Sequence, residues 1–494
     1  MTPFPPRALP ALACTLAVLV ATPLRAQGPL PEGSLSRPWG PPTAVAASGP
    51  FVIGTDSLPC RDCDPPKRFW AGFGELMLVQ FIPHAVNAYV RDAEWAQVSW
   101  QSIKNNVVYP WQWDDNQFLN NQFSHPYHGS LYFNAARTNG YNFWESFAWP
   151  FAGSLMWEIA GEAWAPAPND FLNTSFGGVT LGEAFYRLSS LTLDNTATGS
   201  ERTWREIGGF VLNPIRGFNR LIRGETHGQS ANPPDWRPSR IVGILDLGYR
   251  RTSNAFSADS FAAGTDQWDA TFSLMYGDAV KDLGGSPFSY FALGAELAGP
   301  PVDSARRLNR LQVRGSLAAW PIGSSGRHQL ALLLGYDYVN NPAIEFGGQS
   351  VLGGVVSTFG APGTDWWVQT SVLLDGIIIG ATQSDYYNTL EGRNYDYGPG
   401  LGGTLSARAV YKRRLQASAS YLGWWIHTVD GTESAHYQDA LGAEARYWFT
   451  DRWGAGVSGT HYSRHSDYTG LPNVTQEASF LRIFASAAFP GMPQ

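Results

Sequence analysis

The chain has 494 residues, enough for two domains, with 15% charged and 14% aromatic residues, 53 glycines and 5 methionines. That profile suits a barrel with packed aromatics and tight turns better than a soluble enzyme. A formal net charge of −7 without a long basic block argues against nucleic acid as a partner.

Arg7, an apolar stretch over residues 8–24 and the run Leu24-Arg25-Ala26 mark residues 1–26 as a secretory signal peptide, cut after Ala26. The apolar run before Cys14 is too short for a lipoprotein signal. Beyond it no apolar run reaches the roughly 18 residues of a spanning helix, so any membrane span must be made of strands. Residues 27–66, rich in Pro, Gly and Ser, read as a flexible periplasmic linker. The mature chain keeps Cys60 and Cys63, and in an oxidising envelope a local disulfide is the expected pairing. Neither a second cysteine pair nor a strand-helix context points to redox or metal chemistry.

Residues 67–235 read as a helical domain. Phe69, Phe73, Leu76, Met77, Gln80, Phe81 and His84 step at three or four, which predicts a helix over 68–92 with one mainly apolar stripe. Pro83 should kink it, and His84 is expected to be packed or capping. A second helix is predicted over 141–164, with Pro150 at a kink or first turn. A third covers 179–193, with Gly177 and Gly178 as its initiating turn. Asn213-Pro214 supplies a cap and first turn for a fourth, and Gly224 its stop.

Within this domain lie Asp114-Asp115-Asn116-Gln117-Phe118, His125-Pro126-Tyr127-His128-Gly129, Ala136-Arg137, Trp157-Glu158 with Glu162 four on, Asn169-Asp170, Thr174, Gly177-Gly178 and Gly182-Glu183. With these motifs in this order, residues 111–224 resemble a bacterial envelope family catalogued as domain of unknown function 3943. The strand-rich remainder matches the family's usual companion, an outer-membrane barrel. The resemblance implies an envelope location and brings no established activity.

Glu158 and Glu162, four apart, would share a helix face, and two carboxylates that close need a proton or a cation between them. A buried group of His125, Glu158, Glu162, Asp170 and Glu183 could therefore hold a metal or activate water. No His-Glu-x-x-His motif is present, so no metal and no cofactor are expected. The structural alternative is a polar network that locks helices against the barrel, drawing in Arg137 (paired to a glutamate), Asn169, Thr174 and Asp170 as a cap. Arg216, Arg220 and Arg223 form a basic stripe, suited to lipid headgroups or simply to solvent.

From 240 to 490 the chain reads as strands. Trp268, Ala270, Phe272, Leu274 and Tyr276 alternate with Gln267, Asp269, Thr271 and Ser273. Leu311, Val313, Gly315, Leu317 and Ala319 oppose Gln312, Arg314 and Ser316. The pattern is clearest in Leu405, Ala407, Ala409 and Tyr411, in Leu415, Ala417, Ala419 and Tyr421, and in Leu441, Ala443, Ala445, Tyr447 and Phe449. Period two builds sheets with one apolar and one polar face, and small apolar residues closed by aromatics suit a lipid-facing wall. Reading back from the C-terminus, residues 464–475, 427–437 and 381–400 are long connections, while 450–452 and 412–414 are tight. A periplasmic C-terminus predicts that order. Leu481, Ile483, Ala485, Ala487 and Phe489 resemble a closing strand.

The expected fold is therefore mainly β: an antiparallel transmembrane barrel of about 12 strands preceded by a helical domain lying under or within the pore. The expected location is the cell outer membrane, with outer-membrane lipid and the barrel-assembly machinery as partners. The expected role is structural or transport. The alternatives are an envelope hydrolase acting on lipid or another membrane substrate, and a soluble β-sandwich or small-ligand barrel whose apolar faces point inward.

Overall fold

The computed structural model describes residues 58–299, 306–360, 364–390 and 392–489. The expected signal peptide and most of the expected linker lie outside the described residues. Helices α1 (Phe69–Ala85), α2 (Trp100–Val108), α3 (His125–Arg137), α4 (Phe143–Ala160), α5 (Pro168–Leu172), α6 (Gly178–Thr192), α7 (Gly199–Leu212) and α8 (Pro214–Ile222) come first. Twelve antiparallel strands then close into a barrel, with β1 (Ile241–Ser253) hydrogen-bonded to β12 (Val474–Phe489). Between them run β2 (Thr265–Tyr276), which a short helix α9 (Ala258–Ala262) precedes, β3 (Phe291–Ala298), β4 (Leu308–Pro321), β5 (His328–Asn340) and β6 (Glu345–Gly360). β7 (Trp366–Gln383), β8 (Tyr395–Tyr411), β9 (Leu415–His427), β10 (Ser434–Trp448) and β11 (Trp453–Tyr468) complete the circuit. The barrel's near end is taken as the one where β1 begins and β12 finishes, and the far end as its opposite.

Register identifies the two faces. Leu247 faces Ala485 on β12, Ala443 faces Ala419 on β9 and Val457 faces Ile483, so the odd positions of β8 to β12 and β1 share one surface. Leu247, Leu401, Leu405, Leu441, Val457 and Ile483 on it are all at least half exposed. It is the outside. The even positions carry the buried Asp246, Arg250 and Arg446 and the half-buried Arg482 on the inside. A soluble sandwich with its apolar faces turned inward is thereby excluded.

Outward aromatics mark the near end of this wall: Trp320, Phe359, Trp366, Tyr411, Tyr447 and Trp453. Tyr249, Trp268, Trp425 and Tyr437 stand toward the far end. On β12 the apolar positions run from Leu481 to Phe489, about nine residues, the span of a tilted strand crossing a bilayer. Beyond them the outward positions become polar, with Arg251 paired to Asp266 at 2.7 Å and His465 to Asp467 at 2.8 Å.

The inside is crossed by ion pairs. Arg446 bonds Asp246 at 2.8 Å across two strands, Arg482 pairs with Asp269 at 2.5 Å, Arg250 with Glu296 at 2.5 Å, and Arg314 with Asp337 at 2.7 Å. At the far end the connection 341–344 folds into the lumen, burying Ala343 and Ile344 against Phe346, Trp424 and Ile426. At the near end residues 279–283 do the same, with Ala279 and Leu283 packed on Leu333, Leu352 and Val356, while Pro287 and Phe288 of the same connection turn outward to Arg187 and Phe143. The Gln329 amide holds that segment by donating to the carbonyls of Ala279 and Val280.

These inward folds explain where the loop-length order departs from expectation: the far-end connection 341–344 is short and the near-end connection 277–290 is long. Elsewhere the order holds, although β10, β11 and β12 continue further than predicted and shorten the connections 428–433 and 469–473. Lys412 and Arg413 both take positive φ, as a tight type I′ hairpin turn requires.

The helical domain is neither under nor within the pore. Phe118, Phe123, Phe133, Phe143, Val179, Leu181 and Leu188 form one core with Phe272, Leu274, Tyr276, Phe291, Leu311, Val313, Tyr336, Tyr338, Tyr395 and Tyr397. Phe272 faces Leu245, Leu311 faces Ala295 and Tyr338 faces Leu311, which carries the outward parity round to these strands. The helices therefore pack on the outside of the wall, as a jacket over one sector. Helices α3 and α6 lie closest. A Cβ at Gly129 would overlap the Thr174 carbonyl, and one at Gly178 would overlap Gly129. Gly177 and Gly178 are thus helical residues of a close crossing and not an initiating turn, since the chain is already helical from Pro168.

From residue 58 the end of the expected linker contacts the helices. Cys60 and Cys63 are joined, Asp62 accepts from Asn195 (2.9 Å), and the Pro59 carbonyl accepts from Ala231. Asn213 caps α8 by accepting from the Arg216 amide, and Gly224 follows with φ +67°. Helix α1 is the predicted first helix, continued by a wide π turn (Val86–Val90) after Pro83.

Candidate functional site

The buried polar residues divide into two groups at opposite ends of the jacket. Toward the far end, His125 begins α3, Glu158 lies in the last turn of α4 and Asp170 in α5. Asp170 Oδ2 is 3.5 Å from His125 Nε2, and Thr174 Oγ1 is 3.2 Å from His125 Nδ1. Asn169 Nδ2 donates to Asp170 Oδ1 (2.7 Å) and to the Tyr397 hydroxyl (3.2 Å). Asp170 is no helix cap: Ala167 holds that position and Pro168 opens the turn.

Glu158 Oε2 accepts from the Ala167 amide at 2.8 Å, and Glu162 Oε1 from Trp157 Nε1 at 2.6 Å. Helix α4 stops at Ala160, so Glu162 sits in the turn beyond it and the pair does not share a helix face. Asp114 joins this group, accepting from Asn121 Nδ2 at 2.8 Å. Among the described residues no set of three or more such donors is arranged to hold a metal ion.

Glu183 stands apart. Fully buried in α6, it takes Arg137 Nε at 2.9 Å and Arg187 Nε at 2.8 Å, and Arg187 continues to the Pro287 carbonyl at the near end of the barrel. The expected pairing of Arg137 with a glutamate is present. The expected five-residue group with His125 is not, because α6 carries Glu183 away from His125 toward the other end.

The basic stripe on α8 is turned inward. Arg216 bonds Tyr186 O, Ser189 and Ser190 and lies over the Tyr186 and Trp236 rings. Arg220 is clamped by Glu206 (2.7 Å), Asp62 (3.3 Å) and Asn195 (2.8 Å). Arg223 donates to Thr138 O and to Asn139. Arg216 and Arg220 are buried and so face neither headgroups nor solvent, Arg223 is half-buried, and Phe218, Leu221 and Ile222 of the same segment are exposed. Burial and the neighbouring Asp62 raise the Glu225 carboxyl beside this cluster, against the pull of Arg220 and Arg223.

Two wall residues that sequence reasoning missed complete the far-end group. Tyr395 accepts from Asn121 (2.9 Å) and donates to Asn116 O (2.7 Å), while Tyr397 accepts from Gln122 (3.2 Å). Both fall within 381–400, which the sequence reads as a long connection, whereas β8 already begins at Tyr395. Chemically the arrangement places a histidine between a hydroxyl and a carboxylate, surrounded by acidic groups and closed on one side by the barrel wall.

The model of the family described as Domain of unknown function (DUF3943) matches residues 110–215, the part that contributes α3 to α7 and the helical residues of this group. Among curated proteins none matches the chain. Solved structures similar to it include the NanC porin (11% identity, 49% of this chain and 98% of that one, TM-score 0.27). An outer membrane channel from Pseudomonas putida F1 is similar over 53% of this chain and 100% of that one, at 11% identity and TM-score 0.26. The outer membrane channel DcaP of Acinetobacter baumannii is similar over 51% and 96%, at 9% identity and TM-score 0.22.

Proposed function

We propose that this protein, whose residues 110–215 are a DUF3943 domain, is an outer-membrane β-barrel with a structural role in the cell envelope. The observation that carries this reading is the bare outer sector from β8 through β12 to β1. It is apolar, exposed, bounded by aromatics and polar beyond them, as hydrocarbon would demand and water would penalise. The near end, with the tight turns 412–414 and 449–452, then faces the periplasm. Ion pairs and two inward-folded segments obstruct the lumen, which favours a structural part over an open diffusion pore. The expected result is outer-membrane fractionation with gel migration that changes on heating; recovery entirely in the soluble periplasm would overturn the proposal.

A second reading, hydrolysis of a lipid or another membrane substrate, is favoured by one observation. Thr174, His125 and Asp170 lie in the order of nucleophile, base and orienting carboxylate. If chemistry happens there, His125→Ala and Thr174→Ala leave the protein folded and change envelope lipid composition. Loss of folding with unchanged lipids assigns the group to the polar network instead.

A further inference from the structure

We infer that the helical jacket itself lies at membrane depth, its outer face covered by lipid acyl chains. The inference rests on the outer-membrane reading above and follows from where the helices stand on the wall. Gln122, leading into α3, touches Tyr336 and Tyr397 toward the far end. The C-terminal half of α6 reaches Pro287 at the near end. Helices α3 and α6 thus run down the wall from one end toward the other, and α1 and α4 run back up outside them. Arg68 at the start of α1 meets Asn139 after α3, and His84 at its end meets Gly161 after α4. With 17 residues α1 is about 25 Å long, equal to the apolar band of an outer-membrane barrel. Whatever covers this wall at the depth of its apolar rows occupies the same depth.

The jacket is built for such surroundings. Between Lys67-Arg68 and Arg91-Asp92, the only acidic or basic side chains of the segment are Glu75 and His84. Glu75 is buried and accepts from Asn139 and Asn219, and Gln80 is buried and bonded to Tyr132 and the Gly153 carbonyl. Outward stand Trp70, Phe81, Ile82, Tyr89 and Val90, each more than half exposed. Helix α8 repeats the inversion, with its arginines inside and Leu221 and Ile222 outside. In water such a surface would be a large exposed apolar patch; against lipid it continues the bare belt of the barrel. No helix among the described residues is long and apolar enough to cross a membrane by itself. The inward polar groups and the barrel wall behind them make that unnecessary, because acyl chains meet only the outer face.

The test is photolabelling of the full mature chain in phosphatidylcholine vesicles containing a phosphatidylcholine with a diazirine in its acyl chain, mapped by peptide mass spectrometry. Labelling of the 69–90 segment equal to that of 441–459 on the bare wall, with Tyr336 and Tyr338 unlabelled, is the expected result. Labelling of 441–459 without 69–90 would overturn the jacket inference and leave the barrel reading standing. Absence of label from 441–459 would overturn the barrel reading and the inference with it.

Discussion

Replacing Glu183 with Ala should cost about 3–5 kcal/mol, the penalty of leaving buried guanidinium groups without their counter-ion. Arg137 and Arg187 both take their main carboxylate partner from this one side chain, which is itself completely buried. Loss of the carboxylate leaves Arg137 with the Tyr141 carbonyl and the Tyr186 ring, and Arg187 with the 286–287 segment. Because α6 lies against the wall, the damage should fall on the jacket first. The expected outcome is a protease-sensitive helical domain and reduced helical signal at a denaturant concentration where the barrel still shows heat-dependent migration. A variant as stable as the parent would mean that the two arginines are solvated, contrary to the packing described.

The second large effect is expected on the bare wall. Val457 on β11 lies midway between Trp453 at the near end and His461 where the outward positions turn polar, with Ala445 and Ile483 beside it. An arginine at bilayer mid-depth costs about 2–4 kcal/mol in a transmembrane barrel, falling to about 0–1 near the interface. Val457→Arg should therefore lower the unfolding free energy measured in lipid vesicles by that amount, whereas His465→Arg, in the polar collar, should leave it within about 0.5 kcal/mol. Equal and negligible effects at both positions would mean that the wall is in water.

Much of the barrel was legible because period-two alternation and tight turns are local. The shared faces of Leu441 to Tyr447 and of Leu415 to Tyr421 follow from their spacing, and the structure joins them through Ala443 with Ala419 and Ala445 with Ala417. The same signal misled where two different neighbours want the same surface. Phe272, Leu274 and Tyr276 alternate as cleanly as any lipid-facing strand, yet they pack on helices, because alternation reports an apolar face and not what covers it. The basic stripe on α8 failed for the same reason: spacing places Arg216 and Arg220 on one face, but Glu206, Asp62 and Tyr186, distant in sequence, decide that this face is inside. Of the candidate site, His125 and Asp170 meet directly, whereas Glu158 and Glu162 are taken up by the Ala167 amide and the Trp157 indole. Glu183 was drawn in by sequence order alone, and Tyr395 and Tyr397 were invisible because their partners lie more than two hundred residues away.

The measurement closest to the central claim is a nitroxide scan of β11 from position 453 to 461 in lipid vesicles, using single cysteine replacements and comparing relaxation by oxygen with relaxation by a water-soluble nickel chelate. Oxygen should reach the odd positions Ala455, Val457 and Gly459 in preference to the nickel chelate, and the even positions, which point into the polar interior, should show no such preference. If the nickel chelate relaxes the odd positions instead, the wall is not in hydrocarbon and the account fails.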